Sequence, residues 1–363
     1  MMLDAGRGLE DRGTREGYIT YSRRKVGFLA ACAVLLAVVA LLSLGIGNDL
    51  SLSEIVHYIF HPDGSWDSAI VWDLGLRLIL AAVCAGAALG LAGAVMQCIL
   101  RNQLASPFTL GLSNAAAFGA SIGIIMIDAG AIAGVTSSSL GVSGTALTTV
   151  LAFVFAMIAT GIMLLMVKVT DCTPEMIVLA GMAISAIFSA GLSFFQYIAS
   201  DTALSSIVYW QFGSLGKVTW DQLWLMGIAL VLVAAYLIYK RWDLNAMEAG
   251  EDVARGLGVN VRGTRVLTLV LSAVLTAIVV SFTGVIGFIG LMGPHIVKRL
   301  IGEDNRYVIV GSMIMGALVL LVSYLVGQYA FYTVIPVGII TSAIGGPLFI
   351  AILLHGRIRR SPA

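Results

Sequence analysis

Charged residues are scarce in this chain. Only 11% of its 363 residues are Asp, Glu, Lys or Arg, whereas 59% are hydrophobic. A soluble chain carries charge on roughly 25% of its residues, because its surface must stay hydrated. The deficit argues against two or three soluble domains, which the length alone would allow. It indicates an integral membrane protein instead.

Long uncharged runs give the number of membrane-spanning helices. A helix needs about 20 apolar residues to cross a hydrocarbon core of ~30 Å. The sequence predicts an all-α membrane domain of about ten transmembrane helices, one of them short, over residues 26–356. The runs are 26–48, 78–100, 102–127, 176–200 and 222–239 with one span each, 129–167 with a polar loop and one span, 266–297 with a full span and a shorter helix, and 307–356 with two spans.

Positive charge is almost absent from alternate loops. If the chain crosses ten times from a cytoplasmic N-terminus, 19 of its 21 Lys and Arg residues lie inside, and Arg77 and Lys217 lie outside. This is the positive-inside pattern of membrane proteins, and one miscounted helix would destroy it. Residues 1–25 and 357–363 are therefore predicted to be cytoplasmic tails.

The predicted spans contain no Asp, Glu, Lys or Arg. Ion-coupled transporters place such residues near the midplane, since coupling needs a group that changes charge. Their absence argues against secondary transport. The spans also hold no Ser/His, paired Asp or HExxH arrangement, which argues against a membrane-embedded hydrolase.

The chain also lacks a phosphate-binding loop. No GxxxxGK[ST] sequence is present, and Gly216-Lys217 is followed by Val218, which has no hydroxyl group to ligate magnesium. The four cysteines have no CxxC spacing and predict neither a disulfide framework nor a metal site. Energy for transport must therefore come from elsewhere, and an ATP-hydrolysing partner is its natural source.

Two segments between spans are patterned as short helices. Ser51 and Glu54 have capping-box spacing ahead of an apolar run, which predicts a helix on the outer side. On the inner side, Ala246–Gly258 mixes small, apolar and charged residues and is too polar to span the membrane. It is the only inner helix long enough to receive a push from a partner.

Glycine, in contrast, is abundant, at 41 residues. Gly86 and Gly90, and likewise Gly119 and Gly123, are four residues apart within predicted spans. Small residues at this spacing let two helices approach closely in lipid. We expect both pairs to lie in helix–helix contacts.

A series of motifs follows in fixed order along the chain. They are Gly86-Ala-Ala-Leu-Gly-Leu-Ala-Gly-Ala-Val-Met-Gln97, Leu100-Arg-Asn-Gln-Leu-Ala-Ser-Pro107, Leu110-Gly-Leu-Ser-Asn114, Tyr209-Trp-Gln-Phe-Gly-Ser-Leu215, Glu251-Asp-Val-Ala-Arg-Gly-Leu-Gly258, Gly284-Val-Ile-Gly-Phe-Ile-Gly-Leu-Met-Gly-Pro-His295 and Ile335-Pro-Val-Gly338 with Gly345-Gly-Pro-Leu-Phe349. The ordered set resembles the type II permease subunits of bacterial ABC importers for iron siderophores, haem and cobalamin. The resemblance covers roughly residues 26–355.

The resemblance implies an assembly and a function. Such a permease pairs with a second copy or a close paralogue, contacts two ATPase subunits inside and a substrate-binding protein outside, and works by alternating access in the bacterial cytoplasmic (inner) membrane. ATP and magnesium bind to the ATPase subunits, so this chain is expected to be no enzyme and to hold no cofactor or metal. Its other contacts are with lipid, not nucleic acid.

The substrate implied by the resemblance is a large iron chelate, a ferric siderophore. Haem or a corrinoid such as cobalamin is the alternative within the same class, because an apolar cavity suits any large chelate. A secondary transporter or channel that works without ATP is the alternative from another class.

The resemblance also assigns roles to particular residues. The candidate contacts of the coupling helix, residues 246–258, with the ATPase are Glu248, Gly250, Glu251, Ala254, Arg255, Leu257 and Gly258. The candidates for the inner gate and the translocation path are Asn102, Leu104, Thr173, Met96 and Gln97. The candidates for the outer mouth are Tyr197, Trp210, Phe212 and Tyr332, although aromatic residues at this depth also suit a membrane belt.

The sequence departs from the family on the outer side. Members usually carry Arg-x-Pro-Arg before the second span and often an Arg in the ninth, where this chain has Gly75-Leu-Arg-Leu78 and Gly327. The outer loops hold eight acidic residues against Arg77 and Lys217. Since opposite charges guide encounter and like charges oppose it, we predict a binding protein that docks with a neutral or basic surface.

Overall fold

The computed structural model describes residues 2–46, 50–128, 144–169 and 174–358, and all regular structure in these ranges is helical. A single 3-10 turn, Leu215–Lys217, lies between the seventh and eighth helices. The helices are α1 (Met2–Gly45), α2 (Leu52–Phe60), α3 (Trp66–Ile99), α4 (Leu112–Asp128), α5 (Gly144–Val169), α6 (Pro174–Ile198), α7 (Asp201–Gln211), α8 (Trp220–Tyr239), α9 (Arg241–Ala249), α10 (Glu251–Gly256), α11 (Val261–Thr283), α12 (Ile289–Ile301), α13 (Asn305–Tyr329) and α14 (Val337–Ile358).

Ten of these helices correspond to the predicted spans. Seven are long and apolar enough to cross a membrane, namely α1, α3, α5, α6, α8, α11 and α13. Two are shorter apolar helices, α4 and the described apolar part of α14. The tenth, α12, has 13 residues and follows the glycine-rich break, as the sequence predicted. The all-α membrane architecture is confirmed.

Helix α3 lies at the centre of the bundle. Within the most apolar stretch of α3, 78% is buried inside the chain, whereas only 6% of the corresponding stretch of α1 is buried. It packs against α8, α11, α12 and α13, while α4 packs against α5, α6 and α7, and α1 contacts α13 at the edge. The part of α3 that follows Arg77 carries no charged residue, so other helices can enclose it without burying a charge.

The two glycine pairs lie in close helix contacts, as predicted. A Cβ atom on Gly90 of α3 would lie 2.1 Å from the Ser312 carbonyl oxygen of α13, and one on Gly119 of α4 would lie 2.3 Å from the Leu151 oxygen of α5. Only a residue without Cβ permits backbones this close. The partner glycines behave alike: Gly86 meets Gly316, and Gly123 meets Thr148.

Two predicted span boundaries differ from the structure. Helix α3 starts at Trp66, twelve residues before the predicted run, and passes through a π-helical stretch, Ile70–Leu76. Helix α4 starts only at Leu112, because Arg101 and Gly111 take positive φ values of 45° and 83° and turns replace the helix between them. Hydropathy depends on how apolar these residues are and carries no information on their backbone conformation, so it misplaces the starts of both helices.

The short helix predicted after Ser51 is present as α2. The Ser51 backbone nitrogen donates to Glu54 Oε2 at 2.8 Å, and the Glu54 nitrogen donates to Ser51 Oγ at 3.4 Å. These two bonds form the predicted capping box, which satisfies backbone groups that the first helical turn leaves unpaired.

Candidate coupling face and inner gate

The segment predicted to receive the ATPase, residues 246–258, is divided between α9 and α10. Gly250 separates the two helices with φ of +136°, a conformation open to glycine and strained for other residues. The predicted single helix is therefore two helices. The segment is anchored by the buried side chains of Ala246, Met247 and Ala254, and Leu244, two residues before it, is buried as well.

The opposite face of this segment is exposed. Val253 is 49% exposed and Leu257 69%, and Asp252, Arg255 and Gly258 are exposed beside them. Among the predicted contact residues, Arg255, Leu257 and Gly258 thus lie on the free face. Ala254 is buried, and Glu248, Gly250 and Glu251 are partly buried.

Glu248 joins α9 to α12 and α13. Lys298 Nζ donates to Glu248 Oε1 at 2.9 Å, and Asn305 Nδ2 donates to Glu248 Oε2 at 2.6 Å. Asn305 also contacts Cys98 Sγ at 3.5 Å, near the inner end of α3. Lys298 and Asn305 are buried, so this carboxylate is held by donors that water reaches poorly.

A second cluster of polar side chains links α9 to the start of α13. Asn245 Nδ2 donates to Asp304 Oδ1 at 3.0 Å, the Asn305 nitrogen donates to Asn245 Oδ1 at 2.7 Å, and Arg306 pairs with Asp304 at 2.6 Å. Burial alone would raise the pKa of Asp304, but hydrogen bonds from Arg306 and Asn245 outweigh it and lower the pKa to about 2. Asp304 is therefore ionised at neutral pH.

Glu251, the first residue of α10, has two arginine partners. Arg255 Nη2 lies 3.3 Å away on the same helix and is 66% exposed. Arg265 of α11 donates to the other carboxylate oxygen, and its side chain is 5% exposed. The hydrogen bond from Arg265 lowers the pKa of the Glu251 carboxyl, against the opposing effect of burial.

The predicted inner gate residues Asn102 and Leu104 lie in the turns between α3 and α4. Asn102 Oδ1 accepts from the Leu104 nitrogen at 2.9 Å, which fixes the turn locally. Leu104 is 42% exposed, so it projects from the bundle. The third loop candidate, Thr173, lies outside the described residues.

Met96 and Gln97 are placed differently from the other path candidates. Met96 is fully buried within the chain and Gln97 is 2% exposed, with its Nε2 3.4 Å from the Gly290 oxygen of α12. Both residues lie between helices of one copy, so in this conformation neither reaches a surface.

The outer-mouth candidates also separate by burial. Tyr332 is fully exposed, Tyr197 is 88% exposed and Phe212 is 39% exposed, whereas Trp210 is 6% exposed. The ring of Trp210 packs with Leu192, Ala277 and Val280 in a core cluster. It supports the fold and does not line a surface of this chain.

A groove lies where the gate turns meet α4 and α6. It encloses about 350 Å³ and combines two large apolar side chains, Phe108 and Met182, with hydroxyl and amide groups. Asn114 Nδ2 donates to Ser185 Oγ at 2.6 Å across it. Its lining residues are Phe108, Thr109, Asn114, Met182, Ser185, Ala186 and Ser189.

Sequence reasoning missed the residues that hold the coupling segment in place. Arg265 and Lys298 figured in it only among the positive charges of the inner loops and Asn305 not at all, yet each bonds to a carboxylate of the coupling segment. The available signal was that Arg265 directly precedes the uncharged run 266–297. Within the described ranges, no three His, Cys, Asp or Glu side chains come together as metal ligands.

Comparison with known proteins covers nearly the whole chain. The FecCD transport family matches residues 35–355. A Methanocaldococcus jannaschii protein provisionally assigned as an ABC transporter permease is 38% identical over 339 residues, which is 93% of this chain and 97% of that protein. The vitamin B12 import system permease protein BtuC of Citrobacter koseri is 32% identical over 340 residues, which is 92% of this chain and 96% of that protein.

A solved structure gives the same result at the level of the fold. It is described as an inward-facing conformation of a transporter provisionally assigned to the metal-chelate type of ABC transporter. It is 30% identical and has a TM-score of 0.78, with 91% of this chain and 99% of that chain covered. The chain therefore belongs to the FecCD transport family and is a permease subunit of the type II ABC importers.

Proposed function

We propose that two identical copies of this chain form the membrane pore of an importer for a large metal chelate, with both termini of each copy in the cytoplasm. Permeases of this family are multi-pass inner-membrane proteins that work with ATPase and substrate-binding partners. Here the ATPase subunits hold ATP and magnesium, and this chain holds neither a cofactor nor an ATPase site of its own.

One observation carries this proposal. One face of the coupling segment, 246–258, is bonded to the helix bundle through the ion pairs of Glu248 and Glu251. Its other face, which includes Val253 and Leu257, is exposed. Exposed apolar residues beside charged ones are typical of a surface that a partner covers. An ATPase subunit is the partner that a permease needs at this position.

The first substrate candidate is a ferric siderophore. The groove between the gate turns, α4 and α6 offers Phe108 and Met182 for apolar contact and Thr109, Asn114 and Ser185 for a few hydrogen bonds. Large ligands are commonly held by such mixed surfaces with few polar groups. The match to a metal-chelate type transporter supports the same class.

A corrinoid is the second candidate, because relatives at 32% identity are named as vitamin B12 import permeases. Haem belongs to the same group of planar chelates. For all three substrates we propose the same inner gate, formed by Asn102 and Leu104 in the gate turns together with Thr173, which lies between α5 and α6 in the sequence.

The test is transport by the complete complex in liposomes. The permease is reconstituted with its ATPase subunits and binding protein, and uptake of a ferric hydroxamate siderophore, haem and cyanocobalamin is measured with and without ATP. We expect uptake of one of these that needs ATP and all three proteins. Uptake by the permease alone along an ion gradient would contradict the proposal. Mass analysis of the ligand bound to the purified binding protein identifies the substrate independently.

A further inference from the structure

Arg265 contacts three separate elements. It belongs to α11, donates to Glu251 at the start of α10, and directs its Nε to the carbonyl oxygen of Ile99 at 3.3 Å, where α3 ends. The residue is 4% exposed. One buried guanidinium therefore joins the coupling segment to the inner end of the central helix.

The chemistry of this contact favours a stiff connection. A guanidinium presents several N–H donors in a fixed planar arrangement, so it holds two acceptors at a set separation, which a lysine ammonium does not. A cation near the last carbonyls of a helix is also favoured by the helix dipole. Both acceptors of Arg265 thus depend on the same rigid group.

The gate turns follow directly from the acceptor on α3. Ile99 is separated from Asn102 by Leu100 and Arg101 only. The Arg101 nitrogen donates to the Cys98 oxygen at 3.1 Å, and the Asn102 nitrogen donates to the Gln97 oxygen at 3.1 Å. These bonds tie the turn to the last residues of α3, so a displacement of that helix end carries Asn102 with it.

Other charges near the coupling segment make different connections. Arg255 binds the same Glu251 carboxylate, but its bond stays within α10 and its side chain is 66% exposed. Lys298 connects Glu248 to α12.

We propose that Arg265 is a positioning residue that passes movement of the coupling segment to the inner gate turns at Asn102. This role rests on the proposed function, since it assumes that an ATPase moves the coupling segment. When α10 is displaced, the Glu251 carboxylate draws the guanidinium with it, and the guanidinium moves the Ile99 carbonyl at the end of α3. Without this link ATP hydrolysis continues while less of the movement reaches Asn102.

The experiment compares Arg265→Gln, Arg265→Lys and wild type in the reconstituted complex with ATPase subunits and binding protein. A spin label is attached at Gln103→Cys in each copy, with the native cysteines replaced. It reports the distance between the gate turns of the two copies. ATP hydrolysis and the change in label distance between nucleotide-free and vanadate-trapped states are measured. Neither readout requires the substrate to be known.

We expect Arg265→Gln to keep ATP hydrolysis within about twofold of wild type and to lose most of the label shift, because the neutral side chain no longer pairs with Glu251. Arg265→Lys retains the charge but not the planar set of N–H donors, so it should give a partial shift. Arg262→Gln removes an exposed arginine three residues away on α11 and should retain the wild-type shift.

A second variant keeps the test decisive if Arg265→Gln folds poorly. Glu251→Gln removes the negative charge of the Arg265–Glu251 ion pair, at a residue that is 31% exposed. It should reduce the label shift in the same way as Arg265→Gln. A shift of wild-type size in either variant, or loss of ATPase binding in both, overturns the role of Arg265. A wild-type complex without a nucleotide-dependent shift overturns the proposed function itself.

Discussion

Lys298 Nζ lies 2.9 Å from Glu248 Oε1, and the two side chains are 7% and 20% exposed. Their ion pair connects α12, the short helix after the glycine-rich break, with the first half of the coupling segment. If one partner is removed, the other charge stays buried without compensation, which costs about 3–5 kcal/mol in fully buried pairs. Because Glu248 retains some exposure, we expect Lys298→Met to lower the free energy of unfolding by about 2–3 kcal/mol, measured by denaturant unfolding in detergent.

The pair Lys240–Asp243 supplies a matched control. Its charged atoms are 2.8 Å apart, but both side chains are 30% exposed. Ion pairs that water reaches contribute about 0–1 kcal/mol. Lys240→Met should therefore change the free energy of unfolding by no more than about 1 kcal/mol. The double variant Lys298→Met with Glu248→Gln should recover part of the loss, because no uncompensated charge remains. Equal losses for the two lysine variants would contradict this account of burial.

The contact between α3 and α13 gives a second prediction. Gly90→Ala would place a Cβ atom 2.1 Å from the Ser312 oxygen, which forces the two helices apart. Overpacking of this kind costs about 1–3 kcal/mol. We expect a lower thermal midpoint for Gly90→Ala in detergent. Gly227→Ala on α8 is the control, because no atom lies within 4 Å of its added Cβ and alanine is the better helix former. A melting temperature for Gly90→Ala equal to that of Gly227→Ala would refute the close contact.

Much of this fold follows from the sequence because membrane insertion imposes strong local rules. Uncharged runs and the asymmetric Lys and Arg predicted ten spans, and the short α12 after Gly284 was among them. The spacing of Gly86 and Gly90 predicted a close contact, and the structure adds its partner, α13. In these cases a property of a few neighbouring residues decides the outcome.

What could not be predicted depends on residues distant in the chain. The link from Glu251 to Ile99 through Arg265 brings together three helices, and nothing in the local sequence states which carboxylate a buried arginine meets. The burial of Trp210 has the same origin, since an aromatic residue near a span end suits either a core or an interface. The break at Gly250 needs a positive φ, which glycine permits without demanding it.

The Asp304 carboxyl predicts a dependence of stability on pH. Its pKa in the folded protein is about 2, below the ordinary value of 3.8. A depressed pKa contributes stability that is complete above the unfolded value and is lost as pH falls through the folded value. The stability difference between wild type and Asp304→Asn should therefore be constant from pH 5 to 8 and shrink between about pH 4 and 2. Thermal unfolding at each pH measures it, and a difference that persists undiminished at about pH 2 would refute the assignment.

The last prediction concerns docking of the substrate-binding protein on the acidic outer side. Of the two basic residues there, Arg77 donates through Nε to the Asp73 oxygen at 3.1 Å and through Nη1 to the Val218 oxygen. Lys217 lies 4.6 Å from the ring of Tyr209, and burial lowers its pKa to about 8. Arg77 is thus occupied by backbone acceptors, whereas Lys217 stays mostly charged at neutral pH beside the Tyr209 ring.

Exposed acidic groups should therefore dominate the encounter. Asp201→Lys and Asp221→Lys reverse two exposed charges on α7 and α8. If the partner presents a basic surface, each reversal should slow association by about two- to tenfold at low salt and less at high salt, because screening weakens interactions between exposed charges. Surface plasmon resonance across salt concentrations measures the rate. Asp252→Lys, on the coupling segment, should leave it unchanged. A partner that loses binding when its own glutamates are neutralised, and that gains affinity from Asp201→Lys, would show the opposite polarity and contradict the prediction.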